Sequence, residues 1–318
     1  MDRRALIGVA CGVGAGALWG LVFLAPKLVP EASPVAMSAG RYLAYGVLAL
    51  MLVLPRWAAA TRALDRKAWV GLAGLSLTGN IVYFCLLVVG VHLAGVAASA
   101  LIVGMVPVAV VLWGLREPGA VRMTKLALPV LLAVVAVGLI GWEALQRPSD
   151  GHAVDAGEVA LGLACAFGAL VAWSAYAIGN ARWLARNEQV SAQDGSLLTG
   201  VVTGALALGL IPLALLMPQA AWGDGVWPRF LAVSAAVALG ASILGNALWN
   251  RASQLMPLTM LGQMIVFETL FALVYGFIYE GRWPTGIEVV AVVLMIVSVI
   301  WCVRAHRPAA EAVVEGDH

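Results

Sequence analysis

The sequence predicts an all-α membrane protein, with ten transmembrane helices arranged as two inverted five-helix repeats. Three observations carry this expectation. Hydrophobic residues make up 62% of the 318 and charged residues only 11%, with mean hydropathy +0.95, whereas about a quarter of a soluble domain is charged. The apolar residues fall into ten runs, each near the ~20 residues that cross a hydrocarbon core. Short signatures also recur at one fixed offset. Outer-membrane barrels are excluded, because the runs are continuous and lack a period of two.

In order, the runs are 5–25, 35–54, 68–91, 94–115 and 126–145. After the polar stretch 146–156 come 157–178, 196–217, 230–249, 258–279 and 286–303. The first opens on Arg3 and Arg4, as a signal peptide does. It is too long for an h-region and further spans follow, so it reads as retained. With the N-terminus inside, fourteen Lys/Arg fall on cytoplasmic segments and four (Lys27, Arg147, Arg229, Arg282) on the opposite side. Short loops are where that asymmetry sets orientation, so both termini are expected in the cytoplasm. Most tryptophans, Trp57, Trp69 and Trp283 among them, fall at segment ends as an aromatic belt requires. The acidic tail 308–318 reads as disordered.

The repeat rests on Gly8-Val9-Ala10-Cys11 matching Gly162-Leu163-Ala164-Cys165, and Trp19 matching Trp173, both at an offset of 154 residues. A weaker echo links Gly79-Asn80 with Gly245-Asn246. Five helices per half is an odd number, so the second half must cross the membrane upside down. That divides the chain into residues 1–150 and 151–307. Inverted repeats build alternating access around a site near the midplane. Chance similarity in Gly/Ala-rich apolar sequence is the competing explanation; the common offset and the five-plus-five count weigh against it.

Glu268 is the chemistry-bearing residue. It lies near the middle of the apolar run 257–281, about 16 Å from either end by helical rise. An ionisable group at that depth costs at least ~2.5 kcal/mol on insertion scales, and its default reading is functional. The alternative is a protonated Glu that ties two helices together. Trp19 and Trp173 lie well inside their helices, where an indole either lines a cavity, stacking and donating one hydrogen bond, or simply packs. Asn80, Tyr83, Ser99, Tyr176, Asn246 and Gln263 are the remaining candidate polar groups within the runs. Each either bonds across to a neighbouring helix or orients a ligand in an apolar cavity.

Arg41 is the other intramembrane charge, about 10 Å from Pro34 by helical rise. Snorkelling to the interface is the favoured reading; a structural ion pair and an anion contact stay open. Pro107 falls inside the fourth run, where the missing N–H kinks a helix and suits a gate. Gly8, Gly12, Gly16 and Gly20 form a stripe for close helix approach, and Gly200 and Gly204 repeat that spacing. Gly12-Val13-Gly14-Ala15-Gly16 resembles a dinucleotide loop but follows no strand, so that reading is discarded.

Other classes are weighed on the same residues. His92, His152, His306 and His318 all lie in loops, edges or the tail, and no paired carboxylate or HExxH motif occurs, so an enzyme is not expected. Cys11, Cys85, Cys165 and Cys302 sit in separate runs, so neither a disulfide frame nor a metal site is expected. The net charge of +2 predicts no nucleic-acid surface. A channel would want rings of like residues, and none is evident. A non-transporting sensor or assembly factor stays open, to be decided by flux.

Several motifs form an ordered pattern: Leu18-Trp19-Gly20, Ser33-Pro34 followed by Arg41, Gly104-Met105-Val106-Pro107, Leu248 to Ala252, Pro257, Phe267-Glu268 and Glu280. Together they resemble the EamA-type ten-helix branch of the drug/metabolite transporter superfamily, over about residues 5–303. One departure is Thr269, where the family often has Pro after the ninth-helix Glu. The resemblance implies a basket-like bundle, with helices one, three, four, six, eight and nine around a central cavity and two, five, seven and ten peripheral. Trp19, Asn80, Tyr83, Ser99, Trp173, Tyr176, Asn246, Gln263 and Glu268 all fall on the cavity helices. The aromatic-rich, cation-poor cavity is most like that of the YddG-type amino-acid exporters. Nucleotide sugars would favour several Lys/Arg for their phosphates. The implied protein exports neutral, including aromatic, amino acids, needs no cofactor, and works as a monomer in the lipid bilayer of the cell inner membrane. Glu268 would bind the substrate ammonium or carry a proton, and Trp19 and Trp173 would flank the side chain.

Overall fold

The computed structural model describes residues 3–114, 123–146, 155–216, 222–223, 225–256 and 264–305. Gln263 and Pro257 lie outside the described residues. Among the described residues every regular element is helical. The chain opens with α1 (Arg3–Leu28) and α2 (Pro34–Val53), followed by the short α3 (Trp57–Thr61). Next come α4 (Arg66–Ser76), a π segment (Leu77–Val82), α5 (Tyr83–Val103), α6 (Val106–Gly114) and α7 (Met123–Gln146). The later elements are α8 (Ala156–Arg186), α9 (Ala192–Leu208), α10 (Leu210–Leu216), α11 (Val226–Val237), a second π segment (Ala238–Gly245), α12 (Asn246–Leu255), α13 (Val266–Glu280) and α14 (Gly286–Ala305).

Local chemistry sets the helix starts. Ser33 accepts from the Ala36 N–H (3.2 Å) ahead of Pro34, Asp65 from Ala68 (2.7 Å) and Asp155 from Gly157 (2.8 Å). Ser191 accepts from Asp194 (3.0 Å). Each supplies one of the acceptors that the first turn of a helix lacks. At the other end of α13, Gly281 takes a left-handed conformation (φ 62°), which stops the helix.

Among the described residues six continuous helical stretches are long and apolar enough to cross a membrane, and a seventh counts if α9 and α10, bent by 41°, form one span. The stretch Arg66–Val103 has 38 residues, about 57 Å of helix, nearly twice the ~30 Å hydrocarbon thickness. It is broken at Gly95, whose backbone (φ 87°, ψ 167°) is non-helical and suits a residue without a Cβ. The break falls at the start of the fourth run read from the sequence. A second break at Gly104-Met105 puts Pro107 in the first turn of α6. There its missing N–H leaves no helical bond unmade, so the expected mid-helix kink is an interruption just upstream.

Glycine decides which helices touch. The stripe on α1 lies against α12, α13 and the residues before α13: Gly8 meets Met256, Gly12 meets Met264, Gly16 meets Phe267 and Glu268, and Gly20 meets Phe271 and Ala272. On α2 and α9, a Cβ added to Gly46 would lie 2.6 Å from the Gly204 Cα, so these helices cross backbone to backbone. Extensive packing also joins α5 to α8 and α7 to α14.

Candidate functional site

The two π segments organise the centre of the bundle. A π turn widens the helix and frees a carbonyl from the regular ladder, and such turns concentrate at functional sites. Here aromatic donors take up two carbonyls. The Tyr42 hydroxyl donates to the Asn80 carbonyl in the first segment (2.9 Å), and the Trp19 indole donates to the Ala241 carbonyl in the second (3.0 Å). Close approach is possible because Gly245 leaves room for the Trp19 ring, and Gly79 does the same for Tyr176.

Between these segments lies a small cavity of about 40 Å³. That volume holds about three waters at 10–15 Å³ each and no metabolite. Its wall includes the predicted residues Trp19, Asn80, Tyr83, Trp173, Tyr176, Asn246 and Glu268. They come from α1, the first π segment, α5, α8, α12 and α13, elements far apart in sequence. Tyr83, Trp173 and Tyr176 form one aromatic cluster, with Trp173 centred 4.9 Å from each tyrosine. Trp19 instead stacks on Trp249 at 5.2 Å. Its single N–H is committed to Ala241, so it offers a ligand only its ring face.

Glu268 sits in the first turn of α13, a position where the helix dipole favours a carboxylate. Its carboxylate makes no hydrogen bond or ion pair to the described residues. The Asn80 amide is already held, donating to Thr203 Oγ1 at 2.9 Å.

Three sequence expectations change here. Ser99 does not join the cavity: it is fully buried, with its hydroxyl packed beside Gly90, and no other described residue of the fourth run lines the wall. The second and seventh runs are not peripheral, because α2 contributes Arg41, Tyr42 and Tyr45 and α9 contributes Thr199. The Gly46–Gly204 crossing draws both helices inward. Arg41 does not snorkel to the interface. Its side chain turns inward to the cavity, 8% exposed, with the guanidinium over the rings of Phe84 (4.5 Å) and Tyr42 (5.0 Å).

Sequence reasoning missed Tyr42 and Tyr45, although two tyrosines inside an apolar run, away from either end, carry the same signal as Trp19. It also missed Ser242 and Thr199, whose small hydroxyls have no sequence signature. A second crevice, about 970 Å³, runs between α2, α10 and α11. It is lined by apolar residues such as Leu43, Leu48, Ile211 and Phe230 and by no charged residue, so it offers a polar metabolite little.

No family model matches the chain. Among curated proteins, inner membrane protein YtfF of Escherichia coli is 31% identical over 328 aligned positions, covering 97% of this chain and 99% of YtfF. The chain belongs to the drug/metabolite transporter superfamily. Threonine/homoserine exporter RhtA of Salmonella typhimurium, of the same superfamily, is 28% identical over 276 positions, covering 86% of this chain and 83% of RhtA. A crystal structure matches with a TM-score of 0.61 at 19% identity, over 92% of this chain and 95% of that one, which speaks for the fold. Membership makes the protein a membrane transporter, and the central cavity gathers charged and aromatic groups.

Proposed function

We propose that the protein exports neutral amino acids, aromatic ones included, across the inner membrane. The carrying observation is the central cavity that gathers Glu268, Trp19, Trp173, Asn80 and Asn246 from across the chain. In this reading Glu268 binds the substrate ammonium or carries a proton, and Trp19 and Trp173 flank the side chain. YtfF lends support for the inner membrane, and RhtA for amino-acid export.

Residues 1–150 and 151–307 act as inverted five-helix halves, each with a π segment in its third span. Exchanging the halves maps the α2–α9 contact onto itself, and likewise α7–α14; it swaps α5–α8 with α1–α13. A cavity of about 40 Å³ is too small for an amino acid, so export requires the halves to rock apart on one side at a time. Both halves of the wall come from one chain, which makes the monomer the working unit, with its termini in the cytoplasm.

The test is counterflow uptake of a labelled amino-acid panel into proteoliposomes. Uptake of large neutral and aromatic amino acids, competed by one another and not by sugars or nucleotides, is expected, with Glu268→Gln lowering it and altering its pH profile. Absence of uptake of every amino acid would overturn the substrate class. Unchanged kinetics and pH profile in Glu268→Gln would remove Glu268 from the mechanism.

A further inference from the structure

We infer that Arg41 holds the carboxylate of the transported molecule, so that the cavity reads both charged ends of a zwitterion. The inference rests on the exporter reading and adds to it a residue and a recognition chemistry.

Arg41 is a permanent cation with five N–H donors in a planar fork. It lines the same cavity as Glu268 and is 8% exposed. Only one donor is used: Nη2 reaches Ser242 Oγ at 3.4 Å, the long limit of a hydrogen bond. Nε and Nη1 are buried and meet no acceptor, and no carboxylate of the described residues lies within ion-pair distance. A guanidinium buried this way carries a desolvation cost that neither a hydroxyl nor two aromatic faces repays. A carboxylate would accept two parallel N–H bonds from either edge that includes Nη2, the geometry for which Arg is suited and Lys is not.

The surroundings fix the fork rather than neutralise it. The guanidinium lies over the rings of Tyr42 and Phe84, which meet edge to face, and the Tyr42 hydroxyl is itself tied to the Asn80 carbonyl. Glu268 stands in the same wall and pairs with none of the described residues. A permanent cation and a carboxyl group that share a cavity without pairing complement a molecule bearing an ammonium and a carboxylate on neighbouring atoms. An amine, an ester or an uncharged sugar would leave one of the two charges buried and unpaired.

The experiment is competition in the proteoliposome counterflow assay, using for one transported amino acid the free acid, its methyl ester and the corresponding 2-hydroxy acid. Wild type should prefer the free acid over its ester by about tenfold or more, the size of losing a hydrogen bond to a charged group. Arg41→Gln should erase the acid-over-ester preference while keeping acid over hydroxy acid, and Glu268→Gln should do the reverse. Arg41→Lys, which keeps the charge without the fork, should restore the preference only in part. Thermal unfolding of each variant identifies one that has lost its fold, and Arg41→Lys then carries the comparison. An acid-over-ester preference unchanged in Arg41→Gln or Arg41→Lys overturns the inference, whatever their stability. If wild type moves a carboxylate metabolite other than an amino acid and Arg41→Gln still erases acid over ester, the amino-acid reading fails while the Arg41 assignment stands.

Discussion

Gly16 of α1 lies directly against the backbone of Glu268: a Cβ built on Gly16 would sit 2.9 Å from the Glu268 nitrogen and 2.8 Å from the Phe267 Cβ. The carboxylate's position is therefore set by a missing methyl on a helix more than 250 residues earlier in the chain.

Gly16→Val should push α13 off α1, costing about 1–3 kcal/mol of stability as overpacking and lowering transport more than Glu268-independent packing defects do. Gly74→Ala is the control. Nothing lies within 4 Å of a Cβ there, and the exchange should be neutral or stabilising by up to ~1 kcal/mol. Thermal unfolding in detergent beside proteoliposome counterflow checks both.

Arg282 clamps a buried carboxylate. Its Nη1 and Nη2 donate to Glu288 at 2.7 and 2.8 Å, and the Thr285 N–H adds a third bond at 2.8 Å. Glu288 is fully buried in the first turn of α14. Arg282→Ala should destabilise by about 3 kcal/mol, because the buried Glu288 charge loses its bidentate counter-ion. Glu288→Gln with Arg282→Ala should recover much of that loss. A double-mutant cycle on unfolding decides it.

The Trp173 cluster predicts selectivity. Trp173→Ala should raise KM for aromatic substrates about two- to twelvefold, the ~0.5–1.5 kcal/mol of an aromatic pair, and leave small neutral amino acids nearly unaffected. An equal rise for both would make Trp173 a packing residue.

Glu31 gives a pH signature. Its carboxyl is held below the usual range, first by a hydrogen bond from its own backbone and then by the one from Arg229. A folded value below the unfolded one gives stability that is present above the ordinary Glu pKa and lost as pH falls through the lowered value. Melting temperature should therefore fall on acidification across that window, less steeply in Glu31→Gln. Superimposable acid limbs would mean the Glu31–Arg229 pair contributes nothing.

Much of the arrangement is legible in the residues alone. Gly8 to Gly20 at a spacing of four announce a close helix contact, and the pattern needs no partner to be recognised. Glu268, Trp19 and Trp173 stand out because charge and indole are costly inside an apolar run. Ser99 misleads for the converse reason, since a small hydroxyl satisfies or hides itself in many environments and its type does not say which face it takes. Arg41 misleads because helical rise gives depth along an axis and says nothing of which side of the helix faces protein.

By itself the sequence determined the helical class, the apolar runs and the few polar residues within them, because hydropathy and spacing are local properties of the chain. Only the tertiary structure decided that Arg41 and Glu268 share one small cavity, that α2 and α9 reach the centre, and that Ser99 does not. Those outcomes depend on helix crossings such as Gly46 against Gly204 and on two π turns. Each rotates a side chain by a fraction of a turn, and the direction of that rotation is set by contacts between segments far apart in the chain.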